Sequence, residues 1–282
     1  MKPASFGYLR VGTTAEALET LHQHGAEARI IAGGQSLVPM LNMRLARPTV
    51  LVDIMHVDAL ARTADDGKRL TIGAGVRQRA LEARPDLVRR QPLLAMVLPW
   101  LGHMQTRSRG TVCGSVAHAD PSAELPLALV ALDGEVHLRN HRKVRRVPAG
   151  AFFTGMMTTA RADDELIEAV AMPTVQPGTG YAFREVSRRH GDFAIAGFAA
   201  LADGGGVRLA VGGVAAAPQA RRVPADQGLA DALDEFAWAL EARDDLHASA
   251  RYRRELVRRI GSHVVHQAVR DRDGRMLDRE AA

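Results

Sequence analysis

Two hydrophobic periods follow one another at the start of the chain. Ala17, Leu18 and Leu21 fall at helical spacing behind Thr13-Thr14-Ala15-Glu16, a capping-box pattern, and Gly25 can end that helix. Arg29-Ile30-Ile31-Ala32 then reads as a short buried strand running into Gly33-Gly34, and Val50–Ile54 reads as another. These elements predict a small first subdomain over residues 1–56. From about residue 69 the pattern changes. Leu70–Gly75 is strand-like with glycine breaks, and Gln91–His103 predicts an apolar helix kinked or split at Pro99. Glu124–Leu132 predicts a second helix, Gly134–Arg139 an alternating strand, and Glu165–Met172 a strand closed by Pro173. A mixed second subdomain over 57–174 is expected. Residues 175–180 have linker composition. Beyond them Tyr181–Ser187, Ala194–Ala202 and Val207–Val214 read as strands, with Asp203–Gly206 as a hairpin turn. Leu229–Ala242 and Ala250–Ile260 read as amphipathic helices, and the charged tail after about 270 is expected to fray. The sum is an α+β protein whose third part, 178–282, is an antiparallel sheet followed by helices.

Composition narrows the chemistry. The chain has 282 residues, enough for a sizeable core and more than one domain. No apolar run approaches the roughly 18 residues a membrane span needs, and Met1–Phe6 shows no signal-peptide pattern, so a cytoplasmic location is expected. Cys113 is the single cysteine. An iron–sulfur cluster would need about four thiolates, so any cluster belongs to a partner, and a cysteine-built zinc site is excluded. The formal charge is +5, carried almost wholly by arginine, since lysine occurs only at positions 2, 68 and 143. The arginines are dispersed, with dense groups at 142–146 and 251–259 and no aromatic interleaving of the kind that stacks bases. That pattern argues against nucleic acid and fits solvated faces, an acidic partner surface or an anionic cofactor.

Two segments could cradle phosphate. Ala32-Gly33-Gly34-Gln35-Ser36-Leu37 follows a buried strand, where glycines let the backbone turn sharply and exposed amides form an anion-binding concavity. Taken alone, a Gly-Gly pair is as consistent with an ordinary turn. Arg109–Ser115 has the same logic, with hydroxyls at Thr111 and Ser115. Neither has the G-x-G-x-x-G spacing of a dinucleotide fold, Gly73-x-Gly75 lacks the third glycine, and no P-loop occurs. His118 has no partner ligands at metal spacing, so a buried, hydrogen-bonded histidine is expected there and no metal site is. Asp120, before Pro121, is expected to fix a turn, with a cofactor contact as the alternative.

The longer motifs carry a resemblance. Ile31–Leu45 (IAGGQSLVPMLNMRL) strongly resembles the first flavin loop of the FAD-binding medium subunit of carbon monoxide dehydrogenase, xanthine dehydrogenase and related molybdenum hydroxylases, and Gly110–Pro126 (GTVCGSVAHADPSAELP) resembles the second. Asp164–Pro173, Phe183–Phe193 (FREVSRRHGDF) and His247–Arg254 (HASARYRR) resemble its later signatures, in order along nearly the whole chain. The resemblance implies a PCMH-like FAD-binding domain of two α/β subdomains and a smaller C-terminal domain. It implies that Ala32, Gly33, Gly34, Gln35, Ser36 and Leu37, with Thr111, Val112, Cys113, Gly114 and Ser115, cradle the FAD pyrophosphate and neighbouring atoms. Leu101 would pack near the flavin, Glu124 would accept hydrogen bonds from the nucleotide part, and Ile167 would give apolar contact. Arg184 would face the flavin side, with a solvated strand face as the alternative, and Phe193 stands where some members place an aromatic near the isoalloxazine. Cys113 stands where the commoner pattern has glycine, so its side chain must point away from the pyrophosphate; Gln35 stands where some members have histidine. The resemblance further implies no catalytic residue on this chain, and two partner subunits in a dimer of heterotrimers. One is large and carries molybdopterin; the other is small and carries [2Fe–2S] clusters that deliver electrons to FAD. A standalone FAD oxidase or monooxygenase on the same scaffold, and a basic interaction module without flavin, are the alternatives.

Overall fold

The computed structural model describes residues 2–280, with side chains as far as 275. Three parallel strands, β1 (Gly7–Arg10), β2 (Ala28–Ile31) and β3 (Val50–Asp53), form the first sheet in the order β1-β3-β2. The helix Thr14–His24 links β1 to β2. Thr13 caps it by accepting from the Glu16 amide at 3.1 Å, and Gly25 ends it at φ +49°. Ala17, Leu18 and Leu21 are its buried face, as their spacing requires. All three strands point their C-terminal ends the same way, and in open α/β sheets that edge is where ligands settle.

The second sheet is antiparallel. Its strands are β4 (Thr63–Asp65), β5 (Arg69–Gly73), β6 (Glu135–Arg139) and β7 (Val144–Pro148), joined after the small hairpin of β8 (Phe153–Gly155) and β9 (Thr158–Thr159) by β10 (Leu166–Pro173). The order is β4-β5-β10-β6-β7. Short helices cover it. The apolar stretch at 91–103 divides at its proline into a helix, Pro92–Val97, and a 3-10 turn, Leu98–Trp100. Glu124–Ala131 is buried at every position, which suits a helix apolar on all sides. The segment expected to be the second loop is instead mostly helical: Thr111 caps a helix over Val112–His118. Small residues and an internal glycine hide its period.

The third sheet is an antiparallel meander of β11 (Gly180–Val186), β12 (Ala196–Asp203), β13 (Gly206–Gly212) and β14 (Gln219–Val223), backed by the helices Leu229–Ala239 and Ala250–Glu280. The last helix corrects two expectations, since it runs past 260 and its described residues remain helical from 270 to Glu280. Val257, Val264, Val265 and Ala268 bury its inner face, Asp271 accepts the Tyr181 amide at 2.9 Å, and Arg272 donates to the Asp203 carbonyl at 3.0 Å. The charges that resemble a solvated tail are the outer face and edge fasteners of an amphipathic helix.

Glu124–Ala131 also packs against β12 and β13, so the second and third sheets share this helix. Tyr181 and Phe183 of β11 join the core of the first two sheets, while Ala182 faces the second core cluster. Alternation along the strand thus divides β11 between the two cores.

Candidate functional site

A cavity of about 860 Å³ opens where the C-terminal edge of the first sheet meets the second, within the size range of ligand and cofactor sites. Ala32, Gly33, Gly34, Gln35, Ser36 and Leu37 form one wall, and Thr111, Cys113, Gly114 and Ser115 another. Leu101, Asp120, Glu124, Ile167 and Phe193 complete the set of expected residues in the wall. Val112 and Arg184 stand outside it. The Val112 side chain is buried in the core and its amide donates to the Val76 carbonyl at 3.1 Å, while Arg184 lies on the exposed face of β11.

The two glycine segments touch through their backbones. A Cβ on Gly33 would sit 2.7 Å from the Arg109 carbonyl carbon, closer still to its oxygen, and 2.7 Å from Gly110 Cα. Only glycine permits that approach. Gly34 adopts φ +71°, which turns the chain from β2 into the helix Leu37–Asn42. Among the described residues the amides of Gly33, Gly34, Gln35, Ser36 and Leu37 have no protein acceptor, and the Ser36 hydroxyl caps nothing. Five adjacent free donors make a nest for an anion. In the second segment the Gly114 amide is held by Thr111 Oγ1 at 3.0 Å and the Ser115 amide by the Thr111 carbonyl at 3.2 Å.

Titratable groups in the wall carry the marks of burial. Burial pushes Glu124 up to about 8 against the pull of its own backbone amide, with Glu185 and Asp120 adding to the rise. Asp120 Oδ1 accepts the Ser122 amide at 2.8 Å, the expected turn. His118 departs from expectation. It is half-buried in the wall with no hydrogen-bond partner among the described residues, and burial lowers its pKa against the pull of Asp120, so it is neutral at pH 7. Cys113 points away from the cavity, its thiol 3.4 Å from the Ile72 carbonyl and pushed up to about 12 by burial. No group of three or more potential metal ligands occurs among the described residues.

Several wall residues carry no signal in the sequence. Arg29, Arg47 and Arg161 bring cations to the cavity, and Arg161 is fixed by the carbonyls of Ala162 at 2.7 Å and Glu165 at 2.8 Å. Nothing separates them from the other dispersed arginines. Gln78, buried behind Thr111, keeps Oε1 unpaired. Gly191 and Asp192 bring a loop of the third sheet to the mouth, beside an exposed Phe193. The wall therefore offers free amides, cations, a buried carboxyl and apolar surface, a donor set that fits a large anionic nucleotide cofactor such as FAD.

Comparison with known proteins agrees. The family described as the FAD binding domain in molybdopterin dehydrogenase matches residues 4–175. The chain is 37% identical to the 6-hydroxypseudooxynicotine dehydrogenase complex subunit alpha of Paenarthrobacter nicotinovorans, over 95% of this chain and 96% of that one. It is 34% identical to the carbon monoxide dehydrogenase medium chain of Hydrogenophaga pseudoflava over 71% of this chain and 70% of that one. Among solved structures, a chain of reconstituted CO dehydrogenase from Oligotropha carboxidovorans superposes with a TM-score of 0.91 at 28% identity, covering 96% of this chain and 100% of that one. A chain of quinoline 2-oxidoreductase from Pseudomonas putida 86 gives 0.88 at 32% identity, covering 96% and 99%. With cavity, fold and relatives in accord, the chain belongs to the FAD-binding medium subunits of the molybdenum hydroxylase family, oxidoreductase flavoproteins.

Proposed function

We propose that this chain holds FAD in the cavity described above, receives electrons from [2Fe–2S] clusters on a small partner subunit and passes them to an external acceptor. A large molybdopterin subunit would oxidise the substrate. The observation that carries the cofactor assignment is the row of free amides from Gly33 to Leu37, opposite a second glycine-bearing wall. FAD, when bound, supplies the redox chemistry; the chain's residues bind and orient it. The amides of Gly33 to Leu37 take the pyrophosphate, with Ala32 and the Thr111–Ser115 segment closing on neighbouring atoms. Leu101 and Ile167 give apolar contact and keep water out. Glu124 meets a polar group of the nucleotide part, and Phe193 supplies an aromatic face at the mouth. Asp120 shapes the turn that presents Glu124. Val112 and Arg184 are left out of this set.

A partner must hold the clusters, because the single buried cysteine cannot. The names of the relatives, a complex subunit and a medium chain, support a multi-subunit assembly, for which we propose a dimer of heterotrimers in the cytoplasm. No described helix is long and apolar enough to cross a membrane. The test is to purify the chain, record its visible spectrum with and without FAD, and identify the flavin released on denaturation. FAD bands are expected, and co-expression with the large and small subunits should yield a complex whose flavin is reduced by substrate. A complex that lacks flavin would refute the cofactor role, and one whose flavin stays oxidised while its clusters are reduced would refute the electron path.

A further inference from the structure

Glu185 is a buried carboxylate with no visible reason to be buried. It is 6% exposed, and neither of its oxygens has a hydrogen-bond partner. It shares a face of β11 with Tyr181 and Phe183, which pack into the core that bounds the cavity. Its cross-strand neighbour is Gly197, and a Cβ there would stand 3.0 Å from Leu127 Cδ2. Cross-strand neighbours project to the same side of a sheet. Glu185 is therefore aimed at the helix Glu124–Ala131, whose first residue is the carboxyl in the cavity wall. Asp120 from the preceding turn and Ser187 from the following loop complete the polar groups that act on the pair, and neither carboxyl has an ion-pair partner among the described residues.

We infer that Glu185 is a positioning residue for the cofactor site, forming with Glu124 a buried carboxyl pair that sets the charge of the cavity wall. Two carboxylates in one dry pocket cannot both ionise cheaply. Burial pushes Glu185 up to about 7, against the pull of the Ser187 hydroxyl, and Glu124 up to about 8, where the charge of Glu185 adds to the rise, so the pair keeps at least one proton at neutral pH. Both groups bind protons more tightly in the fold than in the unfolded chain. Their contribution to stability is complete below the ordinary carboxylate range and is lost as pH rises through about 7 to 8. The pair then turns negative beside a cofactor whose pyrophosphate is itself anionic. Affinity for FAD should fall with rising pH, and Glu185 should steepen the fall.

The inference rests on Glu124 facing the cofactor, and the test separates the two ideas. FAD affinity of the full chain is measured by flavin fluorescence from pH about 6 to about 9, for wild type and Glu185→Gln, and the infrared band of protonated carboxyl groups is followed over the same range. Wild-type affinity should drop roughly tenfold, the effect of one charge at short range. Glu185→Gln should match it near pH 6, where Gln mimics the protonated acid, and drop only about threefold by pH 9. The infrared band should titrate in the wild type and weaken in the variant. Superimposable affinity curves overturn the inference, as does a wild type with no titrating band. A chain that binds no FAD defeats the function proposed above, and the band still decides whether the shared proton exists. If Glu185→Gln does not fold, Glu124→Gln removes the other half of the pair and must likewise weaken the titrating band, and an unchanged band overturns the inference.

Discussion

The two glycine-bearing walls of the cavity have similar composition and opposite hydrogen-bond economies. From Gly33 to Leu37 the backbone leaves five successive amides free, and the hydroxyl of Ser36 caps no helix. From Thr111 to Ser115 the fold holds three of the five amides, because the Thr111 side chain and carbonyl take the Gly114 and Ser115 amides and the Val112 amide pairs with Val76. An amide without a protein acceptor must turn to water or a ligand, so the unbroken row beside the cavity is available to an anion, whereas most of the capped helix start is spent on the fold. The first wall is built to bind and the second to brace it.

The strongest challenge to this division is Gly33→Ala. The two walls meet backbone to backbone at Gly33, and any side chain must push Arg109 and Gly110 away. The cost falls on both walls together, because the Gly110 carbonyl accepts the Gln78 amide at 2.8 Å and cannot drift freely. FAD affinity is expected to fall at least about 100-fold, equivalent to ~3 kcal/mol, with a lowered Tm. Equilibrium dialysis and thermal unfolding measure the two. Affinity within about threefold of wild type would mean that the spacing of the walls is not what holds the cofactor.

What was legible in the sequence follows the same line. Period and punctuation revealed the helix behind Thr13, the strand into Gly33-Gly34, the split at Pro99 and the three long strands of the last sheet. They missed β1, whose four residues are all exposed, and the edge strands β7 and β14, where Val144–Pro148 and Gln219–Val223 bury too little to alternate. The loop expected over Arg109–Ser115 runs into the helix Val112–His118, because alanine, glycine and serine have no apolar period. In the cavity, backbone-rich segments were readable from motif resemblance. Arg29, Arg47, Arg161 and Gln78 were not, since distant elements bring them together and no local motif sets them apart. Of the two readings of Arg184, strand alternation favours the solvated face, since it turns the side chain outward on β11.

A paired substitution of intermediate effect sharpens the contrast. Thr111→Val removes the cap of Val112–His118 and strands the Gly114 amide, and should lower stability by about 1 kcal/mol. Ser36→Ala removes a hydroxyl that caps nothing, so stability should hold to within about 0.5 kcal/mol. FAD affinity should respond in the reverse order, weakening several-fold for Ser36→Ala once a hydrogen bond to the anion worth roughly 1 kcal/mol is lost. Urea unfolding of the cofactor-free chain and FAD titration of each variant give the four numbers. A Ser36→Ala protein that is destabilised while Thr111→Val is not would invert the assignment of roles.

The smallest effect is expected at Cys113, and its smallness is informative. The family's commoner residue here is glycine, so a side chain could be an obstacle to the cofactor. The thiol, however, turns into the core towards the Ile72 carbonyl and is 3% exposed, leaving only backbone to face the cavity. Cys113→Ala should change FAD affinity by less than about twofold, because no atom it removes reaches the ligand. With the thiol pushed up to about 12 by burial, the folded protein should resist alkylation at pH 8 and react once unfolded in urea. Rapid labelling of the folded chain would show that the helix start opens, and a large loss of affinity would show that the side chain faces the cavity. Gly33 and Cys113 thus mark the two ends of one rule. The walls work through their backbones, so a side chain is forbidden where the backbones meet and tolerated where it can turn away.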